Sequence, residues 1–380
     1  MRYRVPVLAL ALSLLAAGCT GGSPVVARPP ELDAAGSGAA QAPDDTFVLV
    51  ATGDVLVHPA LTEQAELDAV ETGEGERDFR PLFAGVAPLV EDADVALCHL
   101  EVPIAPVEGP FLGWPRFSAP PEVVTGLAAT GYDVCTTASN HTVDQGEEGV
   151  IRTLEALEDA GLGQAGAART EEEALTPLVR EVNGALVAHI SHTFSFNGLP
   201  LPEGKPWMSN TLDPEEILAG ARRAREAGAE VVVASLHWGV EYVHEPTQEQ
   251  QDLAELLLAD DAIDLIIGHH AHSVQPFEHI NGKWVTYGLG NHVARHAEPR
   301  GITEEGVAAR FTFERDETGD WAVTVAEYVP TLVELGPPIR LVDLTTADIE
   351  VPGRAEALAR TEEVVLSRGG AEHGLTRYTG

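Results

Sequence analysis

The stretch from Asp264 to Val293, DLIIGHHAHSVQPFEHINGKWVTYGLGNHV, decides how the rest of the chain is read. It opens on an apolar run, Leu265 to Ile267, followed by Gly268 and three histidines, His269, His270 and His272. That order suits a buried strand carrying polar side chains at its carboxyl end. His270 and His272 are two residues apart, so extended backbone would put both imidazoles on one face, each able to offer a nitrogen to one metal site. Gly268, Gly288 and Gly290 mark sharp turns, the last two just before Asn291 and His292. Alone, a histidine pair at a strand end is equally compatible with structural histidines and with metal ligation.

Working outward, strands and helices alternate through most of the chain. Phe47 to Thr52 is a strand ending in Gly53-Asp54, with His58 four residues beyond. Residues 62–78 are polar and acidic and read as a loop, and 81–90 read as a helix. A strand from Asp94 to Leu100 delivers Glu101, and a helix over 120–131 leads to the strand Tyr132 to Ala138, which delivers Ser139-Asn140-His141 with Asp144 just after. Further strands run from Ala185 to Ile190 and from Val231 to Leu236, the latter ending in His237 with Glu241 beyond it. Helices are expected from Asp213-Pro214 to Gly228 and from Gln248 to Asp260. This alternation marks βαβ units and a largely parallel sheet, an α/β class. Beyond residue 293 the pattern changes to two strands, 307–314 and 321–329. Residues 331–380 carry one expected helix near 354–366.

Asp54, Glu101, Asn140-His141, His237 and His270/His272 thus arrive at the carboxyl ends of five strands. One such residue means little, since an Asp after Gly is often a turn residue. Five converging on strand ends point to a shared metal site.

The 380 residues carry 23 Lys and Arg against 60 Asp and Glu, a formal net charge of -37. Such a surface repels phosphate backbones, which argues against nucleic-acid binding, and it repels an anionic polymer in the same way. The amino terminus places Arg2 and Arg4 before an apolar run, Val5 to Ala17, with Gly18 and Cys19 following. That order is expected of a lipoprotein signal peptide over 1–18, lipidated at Cys19, with a Gly, Ala, Pro and Ser-rich tether over 19–45. The expected location is therefore outside the cell, anchored by lipid on the outer face of the cytoplasmic membrane. Cys98 and Cys135 would pair in that compartment or pack as two small apolar residues.

GDVLVH at 53–58, LEVP at 100–103, SNHTVDQGEEG at 139–149, HWGVEY at 237–242, GHHAHSVQP from Gly268 and YGLGN from Tyr287 resemble the CapA family of poly-γ-glutamate capsule proteins, itself similar to the calcineurin-like metallophosphoesterases. The resemblance runs from about residue 46 to about 295. It implies a metallophosphatase-like α-β-β-α sandwich over 46–330, two sheets flanked by helices, with 331–380 as an extension. It also implies a centre of two divalent transition-metal ions, Mn, Fe or Zn. Carried over by motif, Asp54 and His272 would hold the first metal, Glu101 would bridge, and Asn140, His237 and His270 would hold the second. His141 would face the substrate, oriented by Asp144. His58, Glu241, His269 and Asn291 are lesser candidates, His269 competing with His270. The superfamily usually opens with Asp-x-His, whereas Val55-Leu56 follow Asp54 here, Glu101 replaces Asp, and His99 stands where the family pattern has Asn. Two functions fit: a tethered metal-dependent phosphoester hydrolase in capsule-polymer assembly, working with its synthesis machinery, or a non-catalytic scaffold in polymer synthesis or export.

Overall fold

The computed structural model describes residues 45–346 and 350–380. The expected signal peptide, the lipidated Cys19 and nearly all of the tether lie outside them. Among the described residues no helix is long and apolar enough to cross a membrane.

In chain order, β1 (Thr46–Val55) is followed by the helices α1 (Pro59–Thr72), α2 (Arg80–Phe83) and α3 (Ala87–Glu91). Next come β2 (Val95–Leu100), α4 (Glu122–Thr130), β3 (Val134–Thr136), α5 (Gly146–Asp159), β4 (Gly163–Ala165) and α6 (Glu171–Leu175). The second half holds β5 (Leu178–Val182), β6 (Ala185–Thr193), α7 (Pro214–Glu226), β7 (Val231–His237), α8 (Gln248–Leu258) and β8 (Leu265–His269). It closes with β9 (Phe277–Ile280), β10 (Lys283–Thr286), β11 (Asn291–Val293), β12 (Glu305–Arg315), β13 (Trp321–Leu335), β14 (Ile339–Asp343), α9 (Arg354–Val365) and β15 (Thr376–Arg377).

These strands make two sheets. One has the order β14-β13-β12-β1-β2-β3-β4, with β11 on β1 and β15 on β13; the other runs β5-β6-β7-β8-β10-β9. Strand alternation explains how they stack. Phe47, Leu49, Ala51, Val95 and Leu97 point from the first sheet into a core shared with Val187, Val231, Val233, Leu265 and Ile267 of the second. The outward residues Ala96, Cys98 and Leu100 pack under Phe79, Leu82, Val123 and Leu127. On the far side Val232, Ala234 and Leu236 pack under Ile217, Ala221, Ala254 and Leu257. The result is the four-layer α-β-β-α sandwich. β1, β2 and β3 are parallel neighbours in one sheet, and β7 and β8 in the other. The carboxyl ends of all five meet at one edge of the sandwich.

The structure departs from the sequence expectations in several places. Residues 62–72 lie in helix α1, not a loop: Glu63, Glu66 and Glu71 form its exposed face, while the polar Gln64 and Asp68 are buried against β14. Gln64 accepts from the Ile339 amide at 2.9 Å, and both Asp68 oxygens receive the Arg340 guanidinium at 2.8 and 2.9 Å. The helix expected over 81–90 is two short helices, broken at Gly85, where a Cβ would stand 2.3 Å from the Leu341 carbonyl oxygen. The boundary expected after residue 330 falls inside β13, and β14 continues the same sheet. The Asn281-Gly282 turn, with φ of 53° and 83°, joins β9 to β10, a hairpin signal that hydrophobic patterning alone had passed over. Cys98 and Cys135, directly paired across β2 and β3, form a disulfide with Cα atoms 4.5 Å apart.

Gly268 lets β8 approach the Tyr287 backbone, for a Cβ there would meet the Tyr287 carbonyl oxygen at 2.0 Å. Gly268→Ala is therefore expected to destabilise the protein by about 1–3 kcal/mol, the usual cost of overpacking. Urea unfolding followed by circular dichroism measures it, and an unchanged midpoint would show that β8 has room to shift.

Candidate metal centre

Asp54 and Glu101 form the buried heart of the edge where the five strands end. Both are essentially inaccessible to water, at 0% and 1% exposure. Asp54 Oδ1 stands 3.2 Å from His269 Nδ1, and Asp54 Oδ2 stands 3.2 Å from His272 Nδ1. Glu101 Oε1 is 3.7 Å from His272 Nε2 and 4.0 Å from His237 Nε2. Yet Asp54 Oδ1, both Glu101 oxygens and Nδ1 of His269 and of His270 have no hydrogen-bond partner. Native interiors rarely leave so many polar atoms unsatisfied together, and such atoms are what metal ligands look like without their ion.

The backbone after β8 is shaped around Asp54. His270 and His272 have φ of 89° and 49°, so they are not in extended backbone, and the premise that a spacing of two puts them on one strand face does not hold. A tight turn brings them in instead. Its His270 amide donates to Asp54 Oδ2 at 3.2 Å, and left-handed backbone at non-glycine residues costs roughly 1–3 kcal/mol each. The His237 and His270 rings end 4.7 Å apart, and those of His270 and His272 6.0 Å apart.

Three sets of ligand atoms gather within 4.8 Å: Asp54, Glu101 and His272; Asp54, His99 and His269; and Glu241, His270 and His272. The first set unites residues expected from motif. The second gives His269 a place beside Asp54 and brings in His99, to which the sequence assigned no role. His99 stacks on His269 at 4.0 Å and exchanges a hydrogen bond with His237 Nδ1 at 3.0 Å, while its own Nδ1 meets Thr136 Oγ1 at 2.8 Å. Its signal was an inward histidine beside a motif, which periodicity cannot distinguish from a core residue. Asn140 Oδ1 lies 3.1 Å from His237 Nε2, joining the two sheets. Asn291 Oδ1 lies 3.0 Å from His272 Nδ1, and its amide donates to the Thr303 carbonyl at 2.8 Å, so Asn291 stands behind His272.

Burial raises the Glu101 carboxyl well above its usual range, and the neighbouring His272 does not offset it. Burial opposes charge on Asp54 too, but the flanking His269 and His272 outweigh it and hold that carboxyl well below its usual value. Burial opposes charge on His272, but the carboxylates of Glu101 and Asp54 push its pKa up to about 9. Burial, reinforced by neighbouring imidazoles, keeps His237 and His270 neutral, the form that ligates. Carboxylates, an amide oxygen and neutral imidazoles together fit a transition metal rather than calcium or magnesium.

Next to this cluster, His141 Nδ1 meets Asp144 Oδ2 at 2.6 Å, and that carboxylate oxygen also accepts from the Phe117 amide at 2.7 Å. Asn140, His141, Asp144, Glu241 and His272 all open on one groove of about 1060 Å³. His58 lines it as well, its Nδ1 3.1 Å from the Leu56 carbonyl oxygen, away from Asp54's cluster.

The profile of the family described as "Bacterial capsule synthesis protein PGA_cap" matches residues 48–296. The chain belongs to this family. It is 28% identical over 226 residues to the capsule biosynthesis protein CapA of Bacillus anthracis, covering 59% of this chain and 53% of that protein. It is 30% identical over 205 residues to the PGA biosynthesis protein CapA of Bacillus subtilis (strain 168), covering 53% of each. The chain thus spans about half the length of the curated relatives it matches. Among solved structures, the calcineurin-like phosphoesterase YfkN of Bacillus subtilis aligns with a TM-score of 0.45 at 14% identity, over 84% of this chain and 97% of that one.

Because a bound ion stabilises only the folded state, manganese at about a hundred times its dissociation constant is expected to add about 2.7 kcal/mol. Asp54→Asn and His272→Ala should abolish most of that gain. Thermal melts with and without manganese, paired with elemental analysis, check it; equal gains in wild type and both variants would move the ion elsewhere.

Proposed function

We propose that this capsule-synthesis family member is a metal-dependent phosphoester hydrolase that acts in the assembly of an envelope polymer, exported and lipid-anchored through Cys19. The observation that carries the reading is the buried pair Asp54 and Glu101, three of whose four oxygens are unsatisfied, gathered around His272, which opens on the same groove as the His141–Asp144 pair. Asp54, Glu101, Asn140, His237, His270 and His272 are the residues proposed to hold two divalent transition ions, with His99 and His269 close enough to share in the first. Bound there, the ions would polarise a phosphoryl oxygen and supply an acidified water.

The chain's own residues account for the rest. Asn140 and His141 are adjacent beyond β3, so the amide can face His237 while the imidazole faces the groove. Asp144 engages Nδ1 of His141, which leaves Nε2 as the nitrogen that can carry a proton to the leaving oxygen. The Phe117 amide fixes Asp144 in turn. The Cys98–Cys135 disulfide suits an oxidising compartment and supports export.

A positioned acid is typically worth about 100 to 10,000-fold in rate. His141→Ala is expected to keep its metal and lose about that much turnover of an aryl phosphate, and Asp144→Asn to lose less, since it acts only through the ring. Metal content and turnover of wild type and both variants test this. A metal-loaded wild type inert on every phosphoester, or a fully active His141→Ala, would favour the scaffold reading.

Cys19→Ser is expected to move the protein from the membrane fraction to the soluble or culture fraction, because lipidation needs that thiol. Cell fractionation and blotting decide it; an unchanged distribution would rule out the lipid anchor.

A further inference from the structure

With carboxylates outnumbering bases 60 to 23, an arginine on this surface should rarely lack a partner. Paired arginines are indeed the rule: Arg77 with Glu122, Arg222 with Asp260, Arg225 with Asp264, Arg340 with Asp68, Arg377 with Glu362. Among the described residues Arg116, Arg223, Arg295 and Arg300 have no carboxylate within ion-pair distance, and Arg223 stands apart, beside His192. The contacts they do make are of other kinds: Arg295 donates to the His296 carbonyl, and the Arg300 guanidinium lies 3.9 Å above the Tyr242 ring.

The other three, Arg116, Arg295 and Arg300, gather at one place. Arg116 and Arg295 line the groove beside the metal centre, and Tyr242, under Arg300, lines it too. Glu63 and Glu241 share the same wall and still do not pair with them. A row of rings connects this rim to the chemistry. Phe117 stands 4.7 Å from His141 and 5.3 Å from His58; His58 is 4.7 Å from His296, and Tyr242 is 6.0 Å from both His296 and His272. At about 1060 Å³ the groove exceeds what one phosphoryl group fills. A guanidinium stacked on a ring keeps its N–H edge free to grip an anionic oxygen pair. The overall charge repels anions, but carboxylates beyond about 8 Å are largely screened at physiological salt, so the local rim governs capture.

We propose that Arg116, Arg295 and Arg300 form an anion-reading rim that selects elongated ligands bearing further anionic oxygen groups beyond the one at the metal centre. The proposal rests on reading this groove as the substrate site of a hydrolase.

Calorimetric titration of the metal-loaded, full-length protein with hexaglutamate, with linear hexaphosphate and with uncharged hexaglutamine tests it, metal content being assayed after each run. Wild type should bind at least one anionic oligomer and not hexaglutamine, and the one that binds identifies carboxylate or phosphate as the group read. Replacing all three rim arginines by Gln should weaken that binding about tenfold or more, since losing about 1.4 kcal/mol of charge-assisted contact is a factor of ten. Arg222→Gln, Arg368→Gln and Arg377→Gln together remove the same charge elsewhere and should leave binding intact. Thermal melts of both triples, and the single variants Arg116→Gln and Arg300→Gln at exposed positions, guard against misfolding. Binding of neither anion above hexaglutamine, or equal losses in the two triples, would overturn the rim. A wild type that binds the oligomer yet hydrolyses no phosphoester would leave the rim standing and remove the hydrolase; one that hydrolyses phosphoesters without preferring anions would do the reverse.

Discussion

Two carboxylates buried together, with three of their four oxygens unsatisfied, are the constraint on which this structure turns. An isolated buried ion costs several kcal/mol even after relaxation, and two of like sign cost more. The surroundings of Asp54 and Glu101 partly answer that cost. His272 stands between them, His269 flanks Asp54, and the His270 amide donates to Asp54 from a turn held in left-handed backbone. The fold delivers these groups from two sheets whose parallel strands end at one edge, so the sandwich core beneath determines how precisely the cluster is assembled. The family match over residues 48–296 covers that same set of strands.

Much of this was legible because strand ends announce themselves. Apolar runs such as Leu265–Ile267 and Val231–Leu236 are bounded by the polar residues that matter, and the layer order follows from alternation along them. Geometry between elements was not legible. Spacing suggested that His270 and His272 share a strand face, whereas positive φ at both places them in a turn. His99 stands where the family pattern has Asn, and no role could be given to it from sequence; only the second sheet brings His237 and His269 against it. The acidic segment after His58 looked like a loop because nothing in its own sequence shows that β14 will bury Gln64 and Asp68. The pairing of Cys98 with Cys135 likewise depends on the register of β2 against β3.

Charge tells a related story at larger scale. Composition alone argues that the protein avoids anions, and over most of its surface the arginines are consumed by neighbouring carboxylates. Three that have no carboxylate partner stand around one groove, next to the cluster of Asp54 and Glu101. A surface that is repulsive overall and receptive at one site favours discrimination over tight general binding.

The central claim is that Asp54 and Glu101 belong to a metal centre. Anomalous diffraction from crystals grown with manganese tests it most directly. The account requires anomalous peaks within coordination distance of Asp54, Glu101 and His272, accompanied by His237 or His269. Crystals whose only manganese lies on surface carboxylates, with Asp54 and Glu101 hydrogen-bonded to water or to each other, would contradict it.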